Sequence, residues 1–326
     1  MTTRKLVTRK LINKITPLEN SDFLEVLEIG GWKIVNKKNQ FKVGDTVIYV
    51  EVDSILPISP QYDFLRRTSY YNSNNIEGYR IRTIKLRGHI SQGLVLPIEL
   101  VGDVPEDEDL TELLGVVKYE PTKNYDTSEL KEFPNYLIKT SAKRCQNVDF
   151  EDLVNTKFFV TEKLDGASIT ISIKNKVFSV CSRNMEVLEG NNIYWDIVRK
   201  HNLKEKFENL DYNFSIQGEL VGPKIQNNKY KLKETELFVF NLYDIDDMVS
   251  LPAYLARSFA KELGLQYVPV ISESYFVETD CADIFELISK ADGMSALTST
   301  LREGLVLHST KGKFKVISNK YLLRND

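Results

Sequence analysis

Short apolar runs separated by turn residues fill the first hundred residues of the chain. "FLEVLEIGGW" and "WKIVNKK" alternate apolar with polar residues, "VGDTVIYVEV" follows a Gly-Asp turn, and "YRIRTIKLRG" precedes "SQGLVLPI". Aromatic and β-branched residues dominate the runs, and Gly, Asn and Asp separate them, as in β-strands joined by turns. Four or five such strands in about a hundred residues predict a small β-barrel.

The predicted barrel fits two small folds. A five-stranded OB barrel is the commonest small barrel that binds oligonucleotides, and an SH3-like barrel is the alternative, which periodicity does not separate from it. Residues 1–50 carry nine lysines and arginines against five acids. This excess gives the barrel a mildly basic face, although an ordinary solvated surface produces the same pattern.

The composition changes after the barrel. Residues 101–120 hold seven acids and one lysine, and Pro and Thr residues follow. We predict an acidic linker with a short helix over residues 101–148. The segment "TSAKRCQNVDFEDL", residues 140–153, crosses the end of this range and is predicted to be helical and amphipathic.

The second half of the chain is rich in strands but also contains helices. The predicted strands are "FFVTEKL", "SITISIKN", "KVFSVCSRN", "FSIQGELVG", "ELFVFNLYDID", "REGLVLHS" and "GKFKVISN". "AYLARSFAKELGL" and "ADIFELISKA" have apolar residues at helical spacing. The pattern predicts a mixed α+β domain over residues 149–326, without a doubly wound parallel sheet.

Charge and cysteine usage exclude several classes. The net charge is −3 with a pI near 5.9, so the whole chain is not a polycation for nucleic acid or membranes. Three scattered cysteines indicate a reducing compartment, which predicts a cytoplasmic protein, and three scattered histidines give no zinc spacing. No apolar run resembles a signal peptide or a membrane span. Any metal is therefore expected to be a hard cation held by oxygen.

Lys163 lies in "TEKLDGAS", between two carboxylates and directly after the apolar run "FFV". A free lysine amine has a pKa near 10.4 and is not nucleophilic at neutral pH, but partial desolvation lowers that pKa. We predict a nucleophilic Lys163 with a lowered pKa, at the end of a strand. Glu162 and Asp165 are then metal or hydroxyl partners, not ion-pair partners. Taken alone, "KLDG" fits a hairpin turn equally well.

Further short motifs follow Lys163 in order. They are "SRN" at 182–184, "GELVG" at 218–222, "FVFNLYD" at 238–244, "REGLVL" at 302–307 and "KFKV" at 313–316. Each alone fits a turn, an edge strand, core packing or a solvated strand face. Together with "KLDG", the ordered set resembles the covalent nucleotidyltransferases, which comprise DNA ligases, RNA ligases and mRNA-capping enzymes. The resemblance implies a mixed α/β nucleotidyltransferase domain, an ATP-grasp-like ligase fold with antiparallel sheets.

The resemblance also implies a role for each matched residue. Lys163 attacks the α-phosphate of ATP, expels pyrophosphate and carries AMP as a phosphoramidate. Lys313 and Lys315 bind the nucleotide and neutralise the α-phosphate, because displacement at phosphorus spreads negative charge over its oxygens. The other implied nucleotide contacts are Glu162, Arg183 at the sugar, Glu219 at the ribose hydroxyl, and Phe240 in preference to Phe238 on the adenine. The implied metal ligands are Asp165, Glu219 and Glu303, and the implied cofactors are ATP and Mg²⁺ or Mn²⁺.

A barrel ahead of the lysine motif resembles the fifth RNA ligase family, which places an OB module before the catalytic domain. The resemblance continues through "FKVGDTVIYVEVDSILP", "RIRTIKLRGHISQGLVLP" and "IKTSAKRCQN". The sequence ends eleven residues after Lys315, so we expect no barrel behind the last motif, in contrast to DNA ligases and capping enzymes. Residues 1–100 are accordingly expected to be an OB-like nucleic-acid-binding domain.

This resemblance implies an ATP-dependent RNA ligase that seals 3′-OH/5′-phosphate nicks through lysyl-AMP and a 5′-adenylylated strand. Its expected partner is a nicked duplex, RNA preferred, which it meets as a monomer away from membranes. The candidate phosphate contacts are Lys33, Lys37, Lys38, Arg80, Lys85 and Arg144. "TSAKRCQN" has fewer acids than this family leads us to expect, so Lys143 and Arg144 stay open between pyrophosphate, nucleic-acid backbone and a plain helix surface.

Two other functions remain open on the sequence alone. One is a DNA nick ligase of the same chemistry, because no residue by itself selects RNA. The other is a catalytically silent nucleic-acid-binding protein that uses the barrel. Intact Lys163, Glu219 and Glu303 argue against the silent protein.

Overall fold

The computed structural model of the protein describes residues 4–19, 21–73, 75–102, 104–105, 108–120 and 130–325. The chain forms two compact units. The first consists of Met1–Lys123, Gln146–Asp152 and Leu322–Asp326, and the second of Asn124–Cys145 and Leu153–Tyr321. Since the units interleave along the chain, the division at residues 100 and 148 stays a prediction. No helix within the described residues is long and apolar enough to cross a membrane.

The first unit is built almost entirely from short strands. They are β1 (Val7–Leu11), β2 (Lys14–Pro17), β3 (Leu24–Ile29), β4 (Trp32–Lys37), β5 (Thr46–Val50), β6 (Ser54–Leu56), β7 (Tyr70–Ser73), β8 (Ile76–Arg80), β9 (Thr83–Leu86), β10 (His89–Gln92), β11 (Leu94–Pro97) and β12 (Val117–Lys118), with one short helix, α1 (Arg66–Ser69). They pair as β1-β5-β11, β2-β3-β4, β12-β6-β8-β7 and the hairpin β9-β10. The strands predicted for the first hundred residues are confirmed.

Strand β5 lies at the centre of this unit because it buries both of its faces. Ile48 and Val50 belong to one apolar cluster, and Val47 and Tyr49 belong to a second one. Successive side chains of a strand point to opposite faces, so a run of apolar residues without alternation suits a strand with a core on either side. This explains the unbroken "VIYV" in the sequence.

Part of the predicted acidic linker packs on the barrel. The backbone amide of Leu110 donates to the carbonyl of Val7 at 2.9 Å, and Thr111 Oγ1 accepts from the amide of Leu6 at 3.0 Å. Leu110 and Val116 are buried in the same apolar cluster as β1. Residues 121–129 of the predicted linker lie outside the described residues.

The helix predicted over "TSAKRCQNVDFEDL" is wrong for most of its length. Lys143–Arg144 forms strand β14, Cys145–Asn147 forms a 3₁₀ turn, and only Phe150–Leu153 is helical, as α2. Strand β14 pairs with a strand near the end of the chain, Gly312–Ile317. Pairing with a distant strand overrides local helical spacing, which periodicity alone does not detect.

The second unit holds two sheets and several helices. Its strands are β13 (Leu130–Glu132), β14, β15 (Phe158–Lys163), β16 (Ala167–Lys174), β17 (Val177–Cys181), β18 (Met185–Val187), β19 (Phe214–Val221), β20 (Glu236–Asp244), β21 (Val249–Ser250), β22 (Gln266–Tyr267), β23 (Val270–Tyr275), β24 (Gly304–Ser309) and β25 (Gly312–Ile317). Its helices are α3 (Ile193–Lys200), α4 (Leu203–Glu208), α5 (Ala253–Glu262) and α6 (Ile284–Lys290), and α7 (Asn319–Asn325) ends the described chain. The α+β class is confirmed.

Both sheets of this unit are largely antiparallel, as predicted. One has the order β13-β18-β17-β16-β19-β20-β21, with β22 beside β20, and the other has the order β14-β25-β24-β15-β23. Helices α3, α4 and α5 cover one face of the larger sheet, where Ile169, Ile171 and Ile173 join the main apolar cluster. Because helices cover this face of the larger sheet, a site formed by polar residues of the sheets must lie on another face.

Candidate active site

Strand register places three of the predicted site lysines on one face of the smaller sheet. Lys163 pairs with Gly304 at the end of β15, and Val306 and His308 of the neighbouring β24 pair with Lys315 and Lys313 of β25. Residues directly opposite each other share a face, and alternate residues of a strand share it too. Lys163, Lys313 and Lys315 therefore point to the same side.

The same register turns Glu162 away from that face. Its side chain is 1% exposed, and its Oε2 accepts a hydrogen bond from the backbone amide of Ala296 at 2.7 Å. Burial raises the pKa of Glu162, while Ser295, Ala296 and Arg302 work against the rise. The structure does not bring the carboxylate of Glu162 to the lysines, so its role as a nucleotide contact stays a prediction.

Lys163 forms an ion pair with Glu303. Lys163 Nζ lies 2.7 Å from Glu303 Oε2, and the two side chains are 28% and 17% exposed. Burial lowers the pKa of Lys163, but the negative charges of Glu303, Glu219 and Asp165 outweigh it, so the pKa is raised. The lowered pKa expected from the sequence is wrong for this state, because the strand end lies among carboxylates.

Glu219 completes the acidic surroundings of Lys163. Burial raises the pKa of Glu219 to about 8; Lys163 and Arg183 oppose the rise, and Glu303 and Asp165 add to it. Burial also raises the pKa of Glu303, against the charges of Lys163 and Lys315. Burial is the largest cause of both pKa shifts, and the neighbouring carboxylates add to it against the charge of Lys163.

Gly166 allows the chain to pass close to Glu219. Its amide donates to Glu219 Oε1 at 3.1 Å. A Cβ at this position would lie 2.2 Å from the carbonyl oxygen of Leu220 and 2.9 Å from Glu219 Cγ. A side chain would push β16 away from β19, so the glycine of "KLDG" is required by contact and not by backbone torsion.

Asp165 is held by residues that the sequence analysis did not identify. Its Oδ2 accepts hydrogen bonds from Lys229 Nζ at 2.5 Å and from the hydroxyl of Tyr321, and its amide donates to the hydroxyl of Tyr230 at 2.9 Å. Lys229 and Tyr321 also hydrogen-bond each other at 2.5 Å. As expected, Asp165 forms no ion pair with Lys163 in the structure; its ion-pair partner is Lys229, which the sequence did not indicate.

Among the residues that the structure describes, no carboxylate is paired with Lys313. Its Nζ donates to Asn241 Oδ1 at 2.6 Å, and burial lowers its pKa to about 8. Neighbouring His308, whose Nε2 lies 3.0 Å from Thr161 Oγ1, has its pKa lowered to about 3 by burial and by the charge of Lys313. The site therefore contains Lys163, which is ion-paired with Glu303, and Lys313, whose positive charge is balanced only by a neutral amide oxygen.

The remaining predicted contacts lie near this face. Arg183 follows β17, is exposed, and lowers the pKa of Glu219 by its charge. Phe240 is half-buried against the cluster that contains Leu164, whereas Phe238 in that cluster is 3% exposed. Arg144 pairs with Lys315 in the parallel register and is 7% exposed.

The candidate phosphate contacts of the first unit differ in their surroundings. Lys37, Lys38 and Lys85 are exposed and form no ion pair within the described residues. Lys33 lies 3.7 Å from a carboxylate oxygen of Glu28, and the Arg80 guanidinium lies 3.5 Å from the centre of the Tyr119 ring. Three of these five residues, Lys37, Lys38 and Lys85, are therefore exposed to solvent without an ion-pair partner among the described residues.

Comparison with known proteins decides between the families that this geometry allows. A family model described as RNA ligase matches residues 156–322, and one described as an OB-fold domain matches residues 6–98. The chain belongs to the RNA ligase family. The OB-fold match also confirms the OB barrel over the SH3-like alternative for the first unit of this RNA ligase.

Solved structures of the Naegleria gruberi RNA ligase are similar over the whole chain. An apo mutant is 34% identical, covers 99% of both chains and has a TM-score of 0.93. A mutant solved with ATP and Mn is 34% identical with a TM-score of 0.92, covering 98% of this chain and 99% of its own. The ligase solved with PPi is 34% identical with a TM-score of 0.89, covering 99% of both chains. The search of curated proteins gave no match.

Proposed function

We propose that this RNA ligase is ATP-dependent and seals 3′-OH/5′-phosphate nicks through a lysyl-AMP intermediate. The observation that carries the proposal is the placement of Lys163, paired with Glu303 at 2.7 Å, on the same sheet face as Lys313 and Lys315. A structurally similar RNA ligase was solved with ATP and Mn and with AMP and Mn. An amine that has lost its proton can attack a phosphate, and two further lysines on the same face can neutralise the charge that develops there.

In the first step, Lys163 Nζ attacks the α-phosphorus of ATP. A nitrogen–phosphorus bond forms, the bond from the α-phosphorus to the β-phosphate oxygen breaks, and pyrophosphate leaves. The amine must lose a proton, and Glu303 Oε2 already accepts the hydrogen bond along which that proton departs. Lys313 and Lys315 neutralise the charge on the α-phosphate oxygens, Arg183 and Glu219 contact the sugar, and Phe240 stacks on the adenine.

The acidic residues fit a divalent cation that keeps part of its water shell. No group of three or more His, Cys, Asp or Glu side chains is placed to bind a metal directly in the part of the chain that the structure describes. Burial raises the pKa values of Glu219 and Glu303, and an added positive charge would stabilise their ionised forms. Asp165, Glu219 and Glu303 would hold Mg²⁺ or Mn²⁺ through its waters, as Mg²⁺ prefers. Such an ion favours the unprotonated amine of Lys163 and neutralises phosphate charge.

In the second and third steps, AMP moves from the enzyme to the nucleic acid. The 5′-phosphate oxygen at the nick attacks the phosphorus of lysyl-AMP, the nitrogen–phosphorus bond breaks, and a 5′-adenylylated strand forms. The 3′-hydroxyl then attacks the 5′-phosphorus, AMP leaves, and the strand is closed. Arg183 and Arg144 lie near this face and are the candidate contacts to the strand.

The OB-fold unit is proposed to bind the duplex. Lys37, Lys38 and Lys85 are exposed and would contact phosphates, which gives affinity without sequence preference. An RNA duplex is distinguished from DNA by its A-form shape and its 2′-hydroxyls. We propose a nicked duplex with ribose at the 3′ side of the break as the preferred substrate of a monomeric enzyme.

Labelling with ATP tests the chemistry. The protein, incubated with ³²P-α-labelled ATP and Mg²⁺ and run on a denaturing gel, is expected to carry a label that maps to Lys163. Lys163→Ala should carry none and fail to seal a 5′-phosphate nick, yet still seal a pre-adenylylated nick. A label on Lys163→Ala would overturn the assignment of the nucleophile.

Matched nicked duplexes test the substrate. They differ only in having ribose or deoxyribose on the 3′ side of the break. Faster sealing of the ribose nick is expected, and equal sealing of an all-DNA nick would replace the RNA preference by a general nick ligase. Labelling without sealing of either duplex would leave an adenylyltransferase with another acceptor.

A further inference from the structure

A chain of buried amide side chains ends on Lys313. Lys313 Nζ donates to Asn241 Oδ1 at 2.6 Å, and Asn241 Nδ2 donates to Gln217 Oε1 at 2.8 Å. Gln217 Nε2 then donates to the backbone carbonyl of Ile138 at 2.7 Å. Asn241 and Gln217 are each 2% exposed. All three distances are those of good hydrogen bonds, so the chain is a built feature of the interior.

This series of hydrogen bonds joins the two sheets of the second unit. Asn241 lies on β20 and Gln217 on β19 of the larger sheet, whereas Lys313 lies on β25 of the smaller one. The β19–β20 register pairs Gln217 with Asn241 and then Gly218 with Val239, so Phe240 is the extra residue of a bulge. Bulges redirect side chains, and this one sets both Asn241 and the candidate adenine contact.

The direction of these hydrogen bonds is fixed at the carbonyl of Ile138. The Ile138 carbonyl only accepts hydrogen bonds, so the amino group of Gln217 must face it and the Gln217 oxygen must face Asn241. The amino group of Asn241 then faces Gln217, and its oxygen is left for Lys313. Each amide has one orientation that satisfies both neighbours, and that orientation presents an acceptor to the Lys313 amine.

The neutral character of Asn241 matters for the charge of Lys313. A carboxylate here would bind the ammonium as an ion pair, as Glu303 binds Lys163. An amide oxygen fixes the position of the amine without neutralising its charge, and an ammonium has two further protons to donate. His308, directly opposite Lys313 in the register, stays uncharged because its pKa is lowered to about 3.

We propose that Asn241, held in turn by Gln217, is a positioning residue that aims the Lys313 amine at the α-phosphate of the bound nucleotide. The inference rests on the proposed function, since it concerns the adenylation step. Neither Asn241 nor Gln217 touches the reacting atoms. They act by fixing the position of the Lys313 amine, because misplacing a catalytic group by about 1 Å lowers the reaction rate about a hundredfold.

The test measures the single-turnover rate of lysyl-AMP formation against ATP concentration. Asn241→Leu, which keeps the volume but removes the acceptor, should lower the maximal rate about 10–100-fold and change the half-saturating ATP concentration little. Gln217→Leu should give a smaller loss, about 3–10-fold, because it only releases Asn241. Ser250→Ala is the matched control, since Ser250 Oγ accepts a side bond from Asn241 at 3.2 Å outside the chain, and it should behave as wild type.

A double-mutant cycle separates positioning from general damage to the fold. If Asn241 acts through Lys313, Asn241→Leu combined with Lys313→Ala should be no slower than Lys313→Ala alone. Losses that multiply would overturn the proposal in favour of a purely structural role. If wild type is labelled on Lys163 but Asn241→Leu is labelled at the wild-type rate, this proposal alone fails; if wild type forms no lysyl-AMP, the proposed function falls with it.

Discussion

The amine of Lys163, at the end of β15, and the carboxylate of Glu303, the residue directly before β24, form an ion pair at 2.7 Å. The pair keeps the nucleophile protonated before the nucleotide binds, because Glu303 and nearby acids raise the pKa of Lys163 although burial lowers it. In this state the amine of Lys163 is therefore protonated and unreactive. In the proposed adenylation step this proton would leave along the hydrogen bond to Glu303, and added positive charge would favour its loss.

Replacing Glu303 distinguishes protection from catalysis. Glu303→Gln removes the charge that holds the proton on Lys163 but also the acid that would attract the metal. We expect the second loss to dominate, with lysyl-AMP formation at neutral pH slowed about a hundredfold or more, as for other electrostatic contacts to a transition state. Glu234→Gln is a suitable control, because Glu234 is an exposed acid paired with Lys200. Faster labelling of Glu303→Gln at neutral pH would mean that Glu303 only restrains the amine.

Gly166 tests the close packing behind the nucleophile. In Gly166→Ala the added Cβ would lie 2.2 Å from the Leu220 carbonyl oxygen. Forced overpacking costs about 1–3 kcal/mol of unfolding free energy and here also displaces Glu219. A lowered melting temperature and a loss of ATP labelling are expected together. Ser172→Ala, fully buried on the strand β16 that begins directly after Gly166, should retain both properties, and wild-type labelling by Gly166→Ala would refute the contact.

The order of the motifs predicted that three lysines of the candidate site lie together, while their roles stay predictions. Lys163, Lys313 and Lys315 were expected together, and the strand register places them on one face. Alternation within a strand predicts that Lys313 and Lys315 share a face, but only the family resemblance predicted that Lys163 lies beside them. The short strands of the barrel could be predicted from the same alternation.

The partners of Asp165 could not be predicted from the sequence. Lys229 comes from a loop after β19 and Tyr321 from the last helix, so only the folded chain brings them to Asp165. The ion pair of Lys163 was missed for a similar reason, since Glu303 lies 140 residues away along the chain. The helix predicted near Arg144 failed because strand β14 is created by its pairing with β25.

The exposed lysines of the OB-fold unit are expected to matter for sealing and not for adenylation. The triple variant Lys37→Ala, Lys38→Ala and Lys85→Ala should bind a nicked RNA duplex more weakly, and the slope of log K against log salt should fall by about 2–3. ATP labelling should be unchanged. Lys118→Ala serves as the control, because Lys118 already pairs with Glu120 at 3.2 Å. An unchanged salt slope would exclude these lysines from the interface.

Substitution is preferable here to deleting residues 1–100. Leu110 and Val116 are buried in the barrel core, and Gln146–Asp152 belongs to the same compact unit. A deletion would expose apolar surface on what remains, so its effect on sealing would mix lost contacts with lost folding. Charge removal at exposed side chains leaves the core intact.

His308 gives the fold a predictable sensitivity to acid. It is 8% exposed between Phe159 and Lys313 in the register, and burial and the charge of Lys313 lower its pKa to about 3. The unfolded chain binds a proton at His308 below about pH 6.5, which the folded chain does not until near pH 3, so stability falls as the pH drops through this window. The loss from this residue is at most about 1.4 kcal/mol per pH unit.

The variant His308→Gln isolates this effect, since it removes the titrating ring while all other groups titrate as before. The melting temperature measured by calorimetry from pH 7 to pH 4 should fall more steeply for the wild type than for the variant. The variant should be less stable at pH 7, because the ring packs edge-on against Phe159 and bonds Thr161. The curves of melting temperature against pH should therefore converge as the pH falls. Parallel curves would show that His308 binds its proton equally well in the folded and the unfolded protein.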